Sequence, residues 1–169
     1  MSQSAVTETA TTEATATAPS GPSSLKTGHI GLNVTDLDRS LAFYQQVFGL
    51  EAYSRSTDPE RPWLFLGRDG QLVLTLWQQS TGRFATAAPG LHHLSFEVPD
   101  IADVRRAEQV LRSLGAEFAY DGVVAHGENA GSGGIFFADP DGTRLEIYTA
   151  AATDAGVAPS GTAPTCGFF

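Results

Sequence analysis

Side chains able to hold a metal recur at ordered positions in this chain. His29 and His93 stand 64 residues apart, and each precedes a valine, Val34 or Val98, by five residues. Glu146 follows Gly142 by four residues and lies between apolar Leu145 and Ile147. A carboxylate inside an otherwise packable strand is costly to bury unless it is paired or metal-bound. One histidine on a strand is ordinarily a satisfied polar residue. Two at equivalent repeat positions, together with such a glutamate, point to one divalent ion. Two imidazoles and a carboxylate leave coordination positions open and suit Fe(II), Mn(II), Ni(II) or Zn(II).

The elements that must position these groups form an internal repeat. Gly28-His29-Ile30-Gly31-Leu32-Asn33-Val34 opens the first half and His92-His93-Leu94-Ser95-Phe96-Glu97-Val98 the second. Both alternate apolar with small or polar residues, which predicts half-buried strands. Thr35, Asp36 and Asp100 are N-cap candidates. Leu37, Leu41, Tyr44 and Phe48 make one helical stripe ending at Gly49; Val104, Ala107, Leu111 and Leu114 make a second ending at Gly115. Strand-like pieces follow near 51–56, 63–67 and 71–77, then near 116–121, 133–138 and 143–149. The turns are Arg68-Asp69-Gly70 and Asp139-Pro140-Asp141-Gly142. The expected class is α+β, with two βαβββ modules at 26–80 and 90–150.

Successive side chains of a strand face opposite ways. Ile30, Leu32, Val34, Leu94, Phe96 and Val98 should therefore pack on the helices. His29, Gly31, Asn33, His93, Ser95 and Glu97 point away from them, and Asn33 and Glu97 are expected beside the metal or at a dimer contact. His92 has the opposite parity and should lean toward the helices. Tyr148 shares the face of Glu146 and is expected either to line the pocket as a catalytic candidate or simply to pack. Arg83 and Arg144 could meet an anionic substrate, while Trp63, Phe65 and Trp77 suit core or pocket wall.

Composition narrows the partners. The net charge of −9 leaves no basic footprint for nucleic acid and disfavours anionic membranes. No segment is long enough to span a bilayer. Residues 1–25, almost all Ser, Thr, Ala, Pro and Glu before Leu25, resemble neither a secretory signal nor a transit peptide and read as a disordered arm. The single cysteine, Cys166, allows no intrachain disulfide, and cytoplasm is the default. Residues 151–169 read as a flexible tail, although Phe168 and Phe169 could dock on a partner or on the protein itself.

The pattern resembles the vicinal oxygen chelate superfamily, which includes glyoxalases, bleomycin-resistance proteins and ring-cleaving dioxygenases. The likeness covers roughly residues 26–150. It rests on "VTDLDRSLAFYQQVFGL" after the first histidine, on "HHLSFEVPDI", and on "FFADPDGTRLEIY". It implies two modules curled into an open cup and a metal on His29, His93 and Glu146 that chelates adjacent substrate oxygens. It also implies a homodimer in which histidine from one subunit meets histidine and glutamate of another. The family's fourth ligand position is assigned to Leu74, four residues after Gly70, and leucine cannot ligate. Three-ligand relatives include extradiol dioxygenases and fosfomycin-resistance thiol transferases. The latter bring lysine to a phosphonate, whereas Lys26 is the sole lysine and precedes the core. A near match to the extradiol signature runs through His126, with Phe136 in place of the acid/base tyrosine, so His126 is expected as a proton carrier. The expectation is an oxygenase-like metalloenzyme on a small substrate. A glyoxalase-like lyase or isomerase and a metal-free drug-binding protein are the alternatives.

Overall fold

The computed structural model describes residues 24–152 and 154–169; the expected arm lies outside the described residues except for Ser24 and Leu25, which are exposed and without regular structure. The first module comprises β1 (Ile30–Asn33), α1 (Leu37–Phe48), β2 (Glu51–Arg55), β3 (Trp63–Arg68) and β4 (Gln71–Trp77). The second comprises β5 (Leu94–Glu97), α2 (Ile101–Ser113), β6 (Val124–Ala125), β7 (Gly133–Ala138) and β8 (Arg144–Thr149). Their mixed, open sheets have the same order, β1-β4-β3-β2 and β5-β8-β7-β6, with β1–β4 and β5–β8 parallel. This is the expected α+β pair of βαβββ modules.

Local chemistry starts and stops the helices where the sequence suggests. The Asp36 carboxylate accepts from the Arg39 amide at 2.9 Å, and the Asp100 carboxylate accepts from the Asp103 amide at 2.9 Å. Gly49 ends α1 in the left-handed region at φ 64°, where a side chain would be strained. The buried stripe of α1 is Leu37, Ser40, Phe43 and Tyr44, with Leu41 and Phe48 partly buried. In α2, Val104 and Leu111 are buried, whereas Leu114 is the exposed C-cap and not part of the stripe.

The helical faces of both sheets share one core. Phe48 of α1 meets Phe96 of β5 at 4.4 Å between ring centroids, and Phe43 meets Phe137 of β7 at 6.4 Å. A polar clasp closes the same seam. Asp141 accepts from the Thr35 amide (2.9 Å), the Thr35 hydroxyl (2.6 Å) and Arg39 (2.5 Å), while the Tyr44 hydroxyl donates to Asp139 at 3.0 Å. With the helical faces turned inward, the opposite faces of both sheets are outer surfaces.

Two expectations about the second module and the segment after it need correction. Residues 116–121 form no strand. Phe118 makes an isolated bridge to Phe137, and the edge strand is the short β6 at 124–125. Gly122, at φ 75°, turns the chain between these pieces. Residues 154–169, expected to be a flexible tail, fold back on the second sheet. Gly156 bridges Val124, and Thr165–Phe168 form a 3-10 turn with Thr165 buried. Gly133 permits the approach, because a Cβ there would stand 2.8 Å from the Ala155 Cβ.

Candidate metal centre

The outer face of the second sheet brings His93, Glu146, His126 and Tyr148 together. Glu146 pairs in register with Ser95 near the middle of β8 and is only 3% exposed. Its Oε2 lies 3.5 Å from His93 Nε2, and its Oε1 lies 2.6 Å from His126 Nε2. His126 Nδ1 in turn meets the Ser132 hydroxyl at 2.9 Å. The buried carboxylate is thus held between two imidazoles, the kind of partnership that burial of a charge requires. Burial pushes the Glu146 carboxyl up. Hydrogen bonds from His126 and Ser95 and the neighbouring imidazoles outweigh it and hold the group below its ordinary value. Burial lowers His93 against the pull of Glu146, favouring the neutral imidazole that can donate to a metal.

Tyr148 lies beside this trio, its ring 5.3 Å from that of His126 and its hydroxyl donating to Glu97 at 3.2 Å. Arg144 is on the same face. Arg83 is not; it pairs with Glu117 at 2.7 Å. Trp63, Phe65 and Trp77 form a half-buried aromatic group on the first sheet. His92 does not lean into the helical layer. It is exposed, with Nδ1 2.8 Å from His93 Nδ1. β5 begins only at Leu94, so strand parity does not extend back to His92.

His29 is exposed immediately before β1, and no described contact joins it to His93 or Glu146. Among the described residues, no three His, Cys, Asp or Glu side chains are arranged to hold a metal within one chain. The donor types present, two imidazole nitrogens beside a buried carboxylate, nevertheless fit a first-row divalent ion.

The register also corrects the fourth ligand position. Leu94 pairs with Leu145 and Ser95 with Glu146; in the first module Ile30 pairs with Leu74 and Gly31 with Thr75. Thr75, not Leu74, is therefore the counterpart of Glu146. The miscount arises because β4 carries an extra residue. Opposite adjacent Leu66 and Gly67 stand Leu74 and Leu72, leaving Val73 in a bulge. Leu74 is fully buried in the core, while Thr75 accepts a hydrogen bond from Trp77 Nε1 at 3.3 Å. A neutral hydroxyl at this position still supplies no strong fourth donor.

The family model described as Glyoxalase/Bleomycin resistance protein/Dioxygenase superfamily matches residues 26–147. The chain belongs to that superfamily. Members of this superfamily include enzymes, and they bind small-molecule substrates. The chain is 28% identical to a catechol-2,3-dioxygenase from Bacillus subtilis over 124 residues, 72% of this chain and 40% of that protein. It therefore spans about two fifths of that relative's length. It is 31% identical to a lactoylglutathione lyase from Haemophilus influenzae over 137 residues, covering 76% of this chain and 96% of that one. Among solved structures, a glyoxalase/bleomycin resistance/dioxygenase domain from Frankia sp. EAN1pec superposes with TM-score 0.65 at 25% identity, covering 75% and 98% of the two chains.

Three features of this cluster and its counterpart in the first module do not follow from the sequence alone. Ser132 carried no signal beyond its place in a glycine-rich loop. Thr75 was hidden by the bulge. The segment after β8 reads as a flexible tail whose phenylalanines could dock on a partner or on the protein itself, without saying where; Phe169 packs over His93 and Phe136, at 5.8 and 5.5 Å between ring centroids.

Proposed function

We propose that the protein is a divalent-metal-dependent enzyme of oxygenase-like type, acting on a small molecule with adjacent oxygens. The observation that carries this reading is Glu146, almost wholly buried and held between His93 and His126. His93 and Glu146 would hold the metal from one subunit, and His29 of a second subunit would complete the set in a homodimer. His29 is exposed just before β1, in the other module from the Glu146 cluster, and no described contact joins the two, which supports completion between chains. When bound, the ion would act as a Lewis acid toward the substrate oxygens, with Fe(II), Mn(II), Ni(II) and Zn(II) all compatible with the donors.

The chain's own residues supply the remaining functions. His126 is within hydrogen-bonding reach of Glu146 and Ser132, so its ring can take a proton at one nitrogen while the other keeps a partner. Tyr148 and Phe136 wall the site, and Arg144 offers positive charge to an acidic substituent. A cytoplasmic location suits the single cysteine, and no helix among the described residues is long and apolar enough to cross a membrane.

A lyase or isomerase of glyoxalase type is the second reading. It is favoured by the near-complete coverage of the lactoylglutathione lyase relative and weakened by Thr75, which cannot serve as the fourth ligand or as a carboxylate base. A metal-free binding protein would have no use for the Glu146 cluster.

Metal analysis of the purified protein, followed by oxygen uptake with catechol and S-lactoylglutathione formation from the hemithioacetal of glutathione and methylglyoxal, separates these readings. The oxygenase reading expects stoichiometric metal, lost on combined His29→Ala, His93→Ala and Glu146→Ala substitution, and catechol-dependent oxygen use. Unchanged metal content in the triple variant would sink it.

A further inference from the structure

The segment after β8 does more than end the fold. Its first part is a fixture. The Ala125 amide donates to the Gly156 carbonyl and the Gly156 amide to the Val123 carbonyl, both at 3.0 Å, and Ala158 is buried. Its second part crosses the face that carries Glu146. Thr165 anchors it, with its amide donating to the His126 carbonyl and its hydroxyl to the Ala125 carbonyl, both at 2.8 Å. The Tyr120 hydroxyl donates to the Phe168 carbonyl at 2.7 Å. Beyond that point Phe169 lies over His93 and Phe136, with the Arg144 guanidinium 5.5 Å from its ring centroid.

We infer that residues 162–169 are an autoinhibitory strap, in which Phe169 occupies the place of an aromatic part of the substrate and must leave before the site can be used. Three observations argue for a releasable strap over a permanent wall. Phe169 rests against a candidate metal ligand, a ring on the outer face of β7 and a cation, instead of entering the shared core. The Phe168 side chain is 60% exposed and holds nothing down. Few side chains fasten the segment: Thr165 is buried, Tyr120 reaches the backbone, and the rest is Thr162, Ala163, Pro164, Cys166 and Gly167. Segments with few buried apolar contacts open at the low end of a protein's stability range. The aromatic occupant also points to a substrate that carries a planar ring, with Arg144 available for an acidic group. This inference rests on the metal-enzyme reading for its consequence but not for the strap itself.

The single cysteine makes the strap observable. In metal-stripped protein kept in chelator, Cys166 should react with iodoacetamide markedly more slowly than in the urea-unfolded chain. Phe169→Ala and Tyr120→Phe should each speed that reaction about tenfold or less, since each removes part of a local opening barrier. Equal rates in folded and unfolded protein, or no change in either variant, would overturn the strap. A second measurement uses Mn(II)-loaded protein titrated with catechol, where Phe169→Ala should tighten binding severalfold. Weaker binding in that variant would make Phe169 a wall and overturn autoinhibition. If Mn(II) does not bind at all, the metal reading fails while the labelling result still decides the strap.

Discussion

The two modules share element order, sheet topology and helix capping, yet their outer faces differ in kind. The second carries a buried carboxylate with two imidazoles and a segment folded across them. The first shows Gly31, Asn33 and Thr75 beside half-buried aromatic rings, with His29 exposed at its border. Both inner faces are apolar and interchangeable in character, because packing two helices between two sheets sets the same demand on each. The outer faces are free of that demand, so chemistry is concentrated there and on one module.

The largest expected effect tests that asymmetry. Glu146→Ala should abolish measurable metal binding, exceeding the roughly 10–100-fold loss typical when an outer-shell partner is removed. Thr75→Ala, at the equivalent position, should leave metal content unchanged by elemental analysis. The register can be sharpened by placing a carboxylate at each of the two neighbouring positions. Leu74→Glu puts a charge into the shared core without a partner and should destabilise by roughly 4 kcal/mol or more in urea unfolding. Thr75→Glu also enters a buried position, since Thr75 is 3% exposed, but there the Trp77 Nε1 donor is at hand, so it should cost less than Leu74→Glu. Equal costs would show that the bulge at Val73 is misplaced.

How much of this was legible in the sequence follows from range. Strand alternation and helix caps are local, and they mark both modules and the faces of Ile30, Leu32 and Val34, whereas the association of His93 with Glu146 is expected only from the repeat and the family resemblance. Counting from Gly70 failed because a bulge changes register without changing residue type. The strand expected at 116–121 is reduced to a single bridge, because Gly115 and Gly122 bracket a stretch that pairs with β7 only around Phe118, through the Ala119 amide to Phe136 and the Ala138 amide to Glu117. That Phe169 could dock on the protein itself is legible, but where it docks is not, for another reason. Its partners His93, Phe136 and Arg144 lie 25 or more residues away in sequence, across a polar linker with no periodicity.

The turns before the last strands offer a smaller contrast. In the second module Asp141 accepts three hydrogen bonds that tie α1 to the second sheet. In the first, Asp69 is exposed and, among the described residues, pairs only with Arg68, at 3.6 Å. Asp141→Asn should cost about 1–3 kcal/mol, as expected for weakened bonds to a charged acceptor. Asp69→Asn should stay within about 0.5 kcal/mol, since the pair is solvated and asparagine tolerates the left-handed backbone there. A comparable loss in both, measured as urea midpoints, would remove the argument that the clasp joins the modules.

The smallest effect is a difference in the sign of pH dependence between two aspartates that share an ordinary value of 3.8. The hydrogen bond and charge of Arg55 hold exposed Asp38 in α1 below that value. Its stabilising contribution is therefore present above pH 3.8 and lost as pH falls through the depressed folded value, and salt should shrink it. Burial raises Asp139, despite hydrogen bonds from Tyr44 and the amides of Asp141 and Thr143. The folded state then binds that proton more tightly than the unfolded chain, so this group's contribution improves as pH falls through its raised value toward 3.8. Urea unfolding of metal-stripped protein across that acidic range, with Asp38→Asn and Asp139→Asn as references, separates the two. Relative to Asp38→Asn the wild type should lose stability on acidification, and relative to Asp139→Asn it should gain. Slopes of the same sign would mean that the Asp139 carboxyl is solvated and that the seam between the modules is looser than its hydrogen bonds imply.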